Sequence, residues 1–328
     1  QRKEKVIMAV VTNNMSTYDA TSIREDLSDV ISNLTPEERP FMESVGRRDV
    51  SNTTFEWQVE ELPSVVTTAR EEGAVAENDA STPTVRVSNV TQILARNATV
   101  SGTQLAVDNA GKNSDELSHQ MALISRALAR DVETVLLANQ AKASGSDGSP
   151  TRSTAGLGAW IRTNVSKASD GANPTDAVGG DARNDGTQEN FTEARLKDAL
   201  KLAYENSADQ PSIIMTGPFQ KTVLSTFSGR ASSTQVVALP TKADEVQATV
   251  SVYIGDFGTY KSVVNRFQRD RDVWIVNPDY AKVAYLRPFE QKELSVAGDA
   301  EKRQITVEFG LQVDNEKAHA LVADNDLS

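Results

Sequence analysis

Alternating apolar and polar residues predict three strands along this chain. Apolar side chains recur at every second position of residues 55–59 and 305–313, and residues 85–100 form a less regular alternating region with Val85, Val87, Val90, Ile93 and Val100. Successive side chains of a strand point to opposite faces, so this period of two is typical of a strand with one buried face. We therefore expect three long strands that each contribute one face to a core.

The first two of these strands are separated by an acidic, mostly polar stretch. About 25 residues lie between them, which is too many for a tight turn. A long, projecting hairpin fits this spacing better. The acids of the connection then lie at a solvated tip or against another molecule.

A different period marks residues 114–141. Apolar residues such as Leu117, Met121 and Leu128 follow each other at intervals of three or four. This spacing predicts one amphipathic helix, roughly 40 Å long at 1.5 Å per residue. Gly145 follows it, and we expect the helix to end there.

The remaining chain divides into an arm, a loop and a compact unit. Residues 23–34 have helical spacing, and residues 35–44 form a corner with two prolines, in which Pro40 limits the length of any helix. Residues 144–190 hold 8 of the 18 glycines and predict a long loop. Short elements follow: one helix capped by Asn190 or Thr192, a second at 219–227, and strands at 212–215, 236–239, 250–254, 262–266 and 273–276. Taken together, the elements predict an α+β fold.

Composition narrows the possible chemistry. The chain has 328 residues, a net charge of −12, no cysteine and two histidines. Disulfides, thiolate nucleophiles and cysteine-based metal sites are therefore excluded. The motifs of phosphate-binding loops, serine hydrolases and zinc peptidases are absent, and no apolar run is long enough to span a membrane. We expect no catalytic residue, no cofactor and no metal, and we interpret His119 as a surface or packing residue.

The first residues suggest where translation starts. Arg2-Lys3-Glu4-Lys5 can be encoded by purine-rich codons shortly before Met8, as a ribosome-binding site would be. We therefore expect native translation to begin at Met8, and an ordinary N-terminal tail is the alternative.

The order of elements and a series of short motifs resemble one family. The motifs are Ile23-Arg24-Glu25-Asp26-Leu27, Pro40-Phe41, Phe55-Glu56-Trp57, Glu71-Glu72-Gly73, Ser88-Asn89-Val90-Thr91-Gln92-Ile93, Arg130-Asp131-Val132-Glu133, Gly255-Asp256-Phe257-Gly258, Asn265-Arg266-Phe267, Leu286-Arg287-Pro288-Phe289 and Asn315-Glu316-Lys317-Ala318. In this order and spacing they resemble the major capsid proteins of tailed bacteriophages with the Hong Kong 97-like fold. The resemblance covers nearly the whole chain.

The resemblance implies a division into five segments. These are an N-terminal arm (1–52), an extended E-loop hairpin (53–100), a peripheral domain with the spine helix 114–141 and the glycine-rich loop (101–190), an axial domain (191–284), and a return strand of the peripheral domain with the C-terminus (285–328).

The resemblance also implies a structural function rather than an enzymatic one. Proteins of this type form hexamers and pentamers that close into an icosahedral head around double-stranded DNA. Their place is the virion, after assembly in the cytoplasm of the bacterial host. The expected partners are copies of the chain itself and, in addition, scaffold, portal and decoration proteins. The enclosed DNA is not bound in a sequence-specific way, and no membrane is involved.

We expect the contacts between subunits to involve two charged groups. The first group, the hairpin acids, comprises Glu60, Glu61, Glu71 and Glu72; the second, the arginine pair, comprises Arg47 and Arg48. We predict that the hairpin acids meet the arginine pair of another subunit, and that Phe55 and Trp57 also take part in contacts between subunits. The alternative is that these charges only keep the chain soluble.

Three other functions compete with a phage head protein. An encapsulin-like compartment shell shares the fold but houses enzymes, so the contents of the particles separate the two. A soluble carbohydrate-binding module would form a small oligomer, and a hydrolase built on acid pairs would show a cleft and turnover.

Overall fold

A computed structural model describes residues 38–62, 69, 71–73, 83–107, 116–149, 151–207, 209–227, 252–296 and 298–327. The predicted helical stretch 23–34, the predicted strand 236–239 and the expected start at Met8 lie outside these residues. The described helices are α1 (Pro40–Ser44), α2 (Gly102–Ala106), α3 (Glu116–Leu136), α4 (Glu193–Asn206) and α5 (Pro218–Leu224). The described strands are β1 (Gly46–Asp49), β2 (Thr54–Val59), β3 (Val85–Val90), β4 (Gln92–Ser101), β5 (Val165–Ser166), β6 (Ile213–Thr216), β7 (Val252–Ile254), β8 (Thr259–Val264), β9 (Val273–Val276), β10 (Ala281–Leu294), β11 (Ala300–Val313) and β12 (Ala320–Val322).

One sheet of four strands lies under the long helix. Its order is β1-β10-β11-β4, with β10 and β11 antiparallel and β1 parallel to β10. Helix α3 packs across β4 and β11, and Leu117, Leu128 and Val132 are buried in that interface. The apolar stripe predicted from the 3/4 spacing is therefore the surface that closes this core.

A second sheet of six strands forms a separate layer. Its order is β5-β12-β9-β6-β8-β7. Helix α4 packs on it, and the Thr192 hydroxyl caps this helix by accepting a hydrogen bond from the Arg195 amide, as predicted for this position. All four residues of β9 are buried, which fits a central strand covered on both faces.

The hairpin predicted from the first two alternating stretches is confirmed at its base. Strands β2 and β3 pair antiparallel from Thr54–Val90 to Val59–Val85. Phe55 and Trp57 are buried, and the alternate residues Thr54, Glu56 and Gln58 are exposed. Strand β4, which continues the second alternating stretch, pairs with β11 in the four-stranded sheet.

The long helix is shorter than predicted. It ends at Leu136, so the helical extension to residue 141 was wrong, and α3 spans about 31 Å over its 21 residues. Beyond Leu136 the chain bonds to the glycine-rich loop, because the amide of Gly156 donates to the carbonyl of Gln140 and that of Gly158 to the carbonyl of Ala138. The carbonyls that follow α3 are therefore paired with the loop and not with a continuing helix.

The role of Pro40 in the corner also differs from the expectation. It stands in the first turn of α1, where its missing amide proton costs nothing, and so it opens a short helix instead of ending one. The next residues form β1, a strand without apolar alternation that exists because it pairs with β10.

The last alternating stretch is confirmed and is longer than predicted. Strand β11 covers 14 residues, and its second half is buried on both faces. Glu308 and Gln312, which the alternation placed on the polar face, do lie opposite the apolar side chains but are almost fully covered.

The five predicted segments stay a prediction, and the sheets cross their boundaries. Strand β4, from the predicted hairpin range, belongs to the four-stranded sheet, and β12, from the predicted C-terminal range, belongs to the six-stranded one. Because β12 lies between β5 and β9, the end of the chain helps to hold the second layer together.

Candidate assembly surface

Two aromatic rings anchor the base of the hairpin. The rings of Phe55 and Trp57 are 5.8 Å apart between centroids, and Trp57 lies 5.4 Å from Trp160 of the glycine-rich loop. The Trp57 indole donates a hydrogen bond of 3.0 Å to the carbonyl of Val313. Both rings therefore lie in the core of their own chain, and only the opposite face of β2 is open to a neighbouring subunit.

A glycine allows the hairpin to lie close to β11. A Cβ on Gly310 would be 2.7 Å from Cε1 of Phe55 and 3.2 Å from the carbonyl oxygen of Val90. Glycine in the interior of a strand often marks such a close approach. The hairpin base thus packs closely against β11 at Gly310.

The arginine pair lies on β1, an outer strand of the four-stranded sheet. Arg47 is exposed, and Arg48 is half-buried and donates from Nη1 to Oε1 of Gln312 at 2.5 Å. The bond to Gln312 holds Arg48 near the surface. Arg47 is open to another molecule.

The hairpin acids are all exposed. Glu61 accepts a hydrogen bond of 2.7 Å from Lys317, which ties the end of the hairpin base to the body. Within the described residues no ion pair joins the hairpin acids to the arginine pair. The structure therefore leaves the predicted contact between two subunits as a prediction.

A groove lies between the hairpin base and the body. It has a volume of about 740 Å³, and Leu62 and Val85, 94% and 54% exposed, lie along it. Glu60, Asp314 and Glu316 are among the other lining residues. The groove combines exposed apolar side chains with acidic ones.

The structure contains a buried ion cluster that no pattern in the sequence indicates. It comprises Arg183, Arg271, Asp272 and Asp324. Arg183 is completely buried and bridges Asp272 at 3.4 Å and Asp324 at 3.1 Å, and Arg271 reaches Asp324 at 2.9 Å. Asp324 has a φ of 58°, which few residues other than glycine adopt. Burial raises the pKa of Asp272 to about 6, against the opposing effect of nearby arginines. The cluster joins the glycine-rich loop, the residues just before β9 and the C-terminal residues.

Glu308 forms a second buried polar centre that the sequence did not reveal. Its carboxylate accepts hydrogen bonds from Arg287 at 2.9 Å, from the Thr91 hydroxyl at 2.9 Å and from Arg152. These partners come from β10, from the turn between β3 and β4, and from the glycine-rich loop. The alternation along β11 predicts that Glu308 faces solvent. Its arginine partners are too distant in the sequence for any local pattern to indicate them.

The part of the chain that the structure describes has no group of three histidine, aspartate or glutamate side chains that could hold a metal ion. None of the described helices is long and apolar enough to cross a membrane.

Comparisons with known proteins agree with this architecture. The chain is 27% identical to the major capsid protein of Escherichia phage Phieco32 over 93% of this chain and 95% of that one. The fold is similar to the capsid of cyanophage A-1(L), with a TM-score of 0.67, 16% identity and coverage of 96% and 99% of the two chains. It is also similar to the capsid of a native GTA particle, with a TM-score of 0.63, 14% identity and coverage of 96% and 100%.

These likenesses confirm the predicted α+β fold and its Hong Kong 97-like type. Residues 10–326 match the sequence pattern of a single family, which is nearly the whole chain. The chain belongs to the SU10 major capsid protein family.

Proposed function

We propose that the chain assembles with copies of itself into hexamers and pentamers, which close into the icosahedral head of a phage around double-stranded DNA. Assembly takes place in the cytoplasm of the host, with scaffold, portal and decoration proteins as further partners. The role is structural and not enzymatic. The observation that carries the proposal is the family match over residues 10–326, and the shape of the chain supports it.

The hairpin has the construction that a contact between subunits needs. Its base is packed into the core through Phe55 and Trp57, whereas Glu71 and Glu72 farther along are exposed. A polar segment that buries little within its own chain can be ordered by neighbours, because the interface offsets the entropy lost. Many copies in a shell then multiply weak contacts.

The negative charge supports a container for DNA. A net charge of −12 repels phosphate on average, and protein charge of this sign gives no general attraction to a duplex. A wall of such subunits holds the DNA in place without binding it tightly.

Within this assembly the hairpin acids of one subunit meet the arginine pair of the next. Two observations support the contact: the hairpin acids are exposed, and Arg47 is exposed on an outer strand. Opposite charges steer association and fix register.

Sedimentation velocity of the purified chain, with and without its scaffold candidate, tests the assembly. Discrete hexamers or megadalton particles are expected, and electron microscopy then gives their geometry. A stable monomer or dimer under both conditions would contradict the proposal and favour a carbohydrate-binding module. Particles filled with enzyme instead of DNA would indicate an encapsulin-like shell.

A charge exchange tests the contact itself. Replacing the four hairpin acids by lysine should reduce the yield of particles, because like charges then face each other. Combining this with Arg47→Glu and Arg48→Glu should restore part of the yield. Equal yields from all three proteins would mean that the charges only solubilise the chain.

A further inference from the structure

Aspartate followed directly by glycine occurs three times in this chain, always in the glycine-rich loop. The three pairs are Asp147-Gly148, Asp170-Gly171 and Asp185-Gly186. Such a pair can rearrange, because glycine has no side chain to hinder its own amide nitrogen when that nitrogen attacks the preceding side-chain carboxyl. In a folded chain the reaction requires that the nitrogen and the carboxyl are free to meet.

The rearrangement releases one water molecule and then takes one up. The amide nitrogen of the glycine bonds to Cγ of the aspartate, and the hydroxyl of the protonated carboxyl leaves with the amide proton as water, so that a cyclic imide forms. Water then adds to one of the two imide carbonyls. If the bond from nitrogen to the original main-chain carbonyl breaks, the chain continues through Cγ as isoaspartate. If the newly formed bond breaks, aspartate returns.

The first pair is free to react. Asp147 and Gly148 are the central residues of an exposed turn, which is closed by hydrogen bonds from the Ser149 amide to the Ser146 carbonyl at 3.0 Å and from the Ser146 amide to the Ser149 carbonyl at 2.8 Å. Among the described residues, neither the Asp147 carboxylate nor the Gly148 amide has a hydrogen-bond partner. Exposed turns open locally at a low cost in free energy, so the two groups can reach each other.

In the second pair both groups are engaged. The Thr187 amide donates to the two carboxylate oxygens of Asp170 at 2.9 and 3.0 Å, and the Thr187 hydroxyl donates to Oδ2 at 2.5 Å. These hydrogen bonds lower the pKa of Asp170, the hydroxyl most of all, and so disfavour the protonated carboxyl that reacts. The amide of Gly171 is buried and donates to the Ala168 carbonyl at 3.2 Å.

The third pair is held by charge. The Asp185 carboxylate forms ion pairs with Arg269 at 2.5 Å and Arg271 at 3.4 Å. The amide of Gly186 donates at 3.0 Å to Asp324 of the buried ion cluster. Asp185 and Gly186 can therefore react with each other only after these contacts have been broken.

We propose that Asp147 is a modification site of the folded chain, at which isoaspartate forms spontaneously, and that the fold protects Asp170 and Asp185 from the same reaction. The product carries a carboxylate on the Cα of residue 147, the group that an isoaspartate-specific methyltransferase would esterify. Because the turn is exposed, the extra backbone carbon disturbs the turn and leaves the packed layers intact. The inference does not depend on assembly.

Ageing of the purified full-length chain in heavy-oxygen water tests the site. Each imide that reopens takes up one heavy oxygen, so mass spectrometry of the peptides measures the reaction at every pair, and fragmentation identifies the isoaspartate. In the folded chain isoaspartate at position 147 should exceed that at positions 170 and 185 by roughly tenfold or more, because a single hydrogen bond to a charged group corresponds to that factor. Similar amounts at all three positions, or none at position 147, would overturn the proposal.

Two controls separate the fold from the local sequence. In urea the three pairs should react at similar rates, since the protecting contacts are then lost; the same preference for position 147 in urea would overturn protection by the fold. Gly148→Ala, whose added methyl group meets no atom within 4 Å, hinders only the attacking nitrogen. It should remove most of the isoaspartate at position 147 and leave the other two pairs unchanged. Undiminished isoaspartate at position 147 in Gly148→Ala would contradict attack by the Gly148 nitrogen.

Discussion

The two charged regions of this chain differ in exposure, and exposure determines what each can do. The hairpin acids and Arg47 are exposed, whereas the members of the buried ion cluster other than Arg271 have side chains with no exposure at all. Charges in water interact weakly and remain available to another molecule. Charges in the core are committed to their partners. The same residue types thus stabilise the fold where they are buried and stay available to other molecules where they are exposed.

The two regions also differ in how much their ion pairs contribute to the free energy of unfolding. An exposed ion pair contributes about 0–1 kcal/mol. Removing one partner from a buried pair costs about 3–5 kcal/mol, because the other charge stays buried without compensation. Substitutions in the two regions should therefore affect different measurements.

The largest effect is expected from Arg183→Leu in the buried ion cluster. It removes the completely buried cation that Asp272 and Asp324 share and leaves them the partly exposed Arg269 and Arg271 as partners. The free energy of unfolding should fall by up to about 3–5 kcal/mol. Denaturant unfolding measures it. Arg162→Leu, an exposed arginine of the same loop, is the matched control and should change it by less than about 0.5 kcal/mol. Equal losses of stability in both variants would contradict the conclusion that buried charge stabilises the fold more than exposed charge.

The next largest effect on the free energy of unfolding is expected from His319, a buried base, and it depends on pH. Burial lowers the pKa of His319 to about 4, and its Nδ1 already accepts a hydrogen bond from the Asn277 amide at 3.3 Å. The unfolded chain takes up this proton near pH 6.5, so the stability that the neutral ring contributes is complete above that pH. It is lost as the pH falls toward 4, by about 3 kcal/mol.

The free energy of unfolding, measured between pH 7 and pH 4, tests whether stability is lost as the pH falls. His319→Gln should lose less stability over that range than the wild type, since it has no proton to take up there. His119→Gln, which changes the half-exposed histidine of α3, should follow the wild type. The same loss in all three proteins would exclude His319 as the cause.

A packing change at the hairpin base should have an intermediate effect. Gly310→Ala places a methyl group 2.7 Å from the Phe55 ring, and overpacking of this kind costs about 1–3 kcal/mol. Gly148→Ala meets no atom within 4 Å and serves as the control. Thermal unfolding of both variants gives the difference. An unchanged midpoint in Gly310→Ala would mean that the hairpin is not held as closely to β11 as the structure has it.

The smallest effect on the single chain is expected from the hairpin acids. Replacing all four by glutamine should change the free energy of unfolding by less than about 1 kcal/mol, because only Glu61 has an ion partner among the described residues. The yield of particles at low salt should fall all the same. A large loss of stability without any change in assembly would mean that the hairpin acids serve the fold and not the contacts between subunits.

The sequence predicted the elements that have a strong period. The alternation of β2, β3 and β11 and the stripe of α3 were recognised because each buries one face against a neighbour. The Thr192 cap marked α4. The short motifs indicated the family, because they occur in the family's order along nearly the whole chain.

What the sequence could not predict depends on partners far along the chain. Strand β1 has no alternation and is a strand because β10 lies beside it. The carbonyls just after α3 bond to Gly156 and Gly158 of a distant loop, and Glu308 has the pattern of a surface residue until its donors are known. Local patterns carry no information on such distant contacts.

A high-resolution structure of the assembled particle tests the division between exposed and buried charge most directly. We expect the hairpin acids of one subunit to lie within about 4 Å of Arg47 or Arg48 of its neighbour, the range of an ion pair, while Arg183 keeps Asp272 and Asp324 as partners in every copy. Hairpin acids that face only solvent in all subunits would contradict the assignment of exposed charge to assembly.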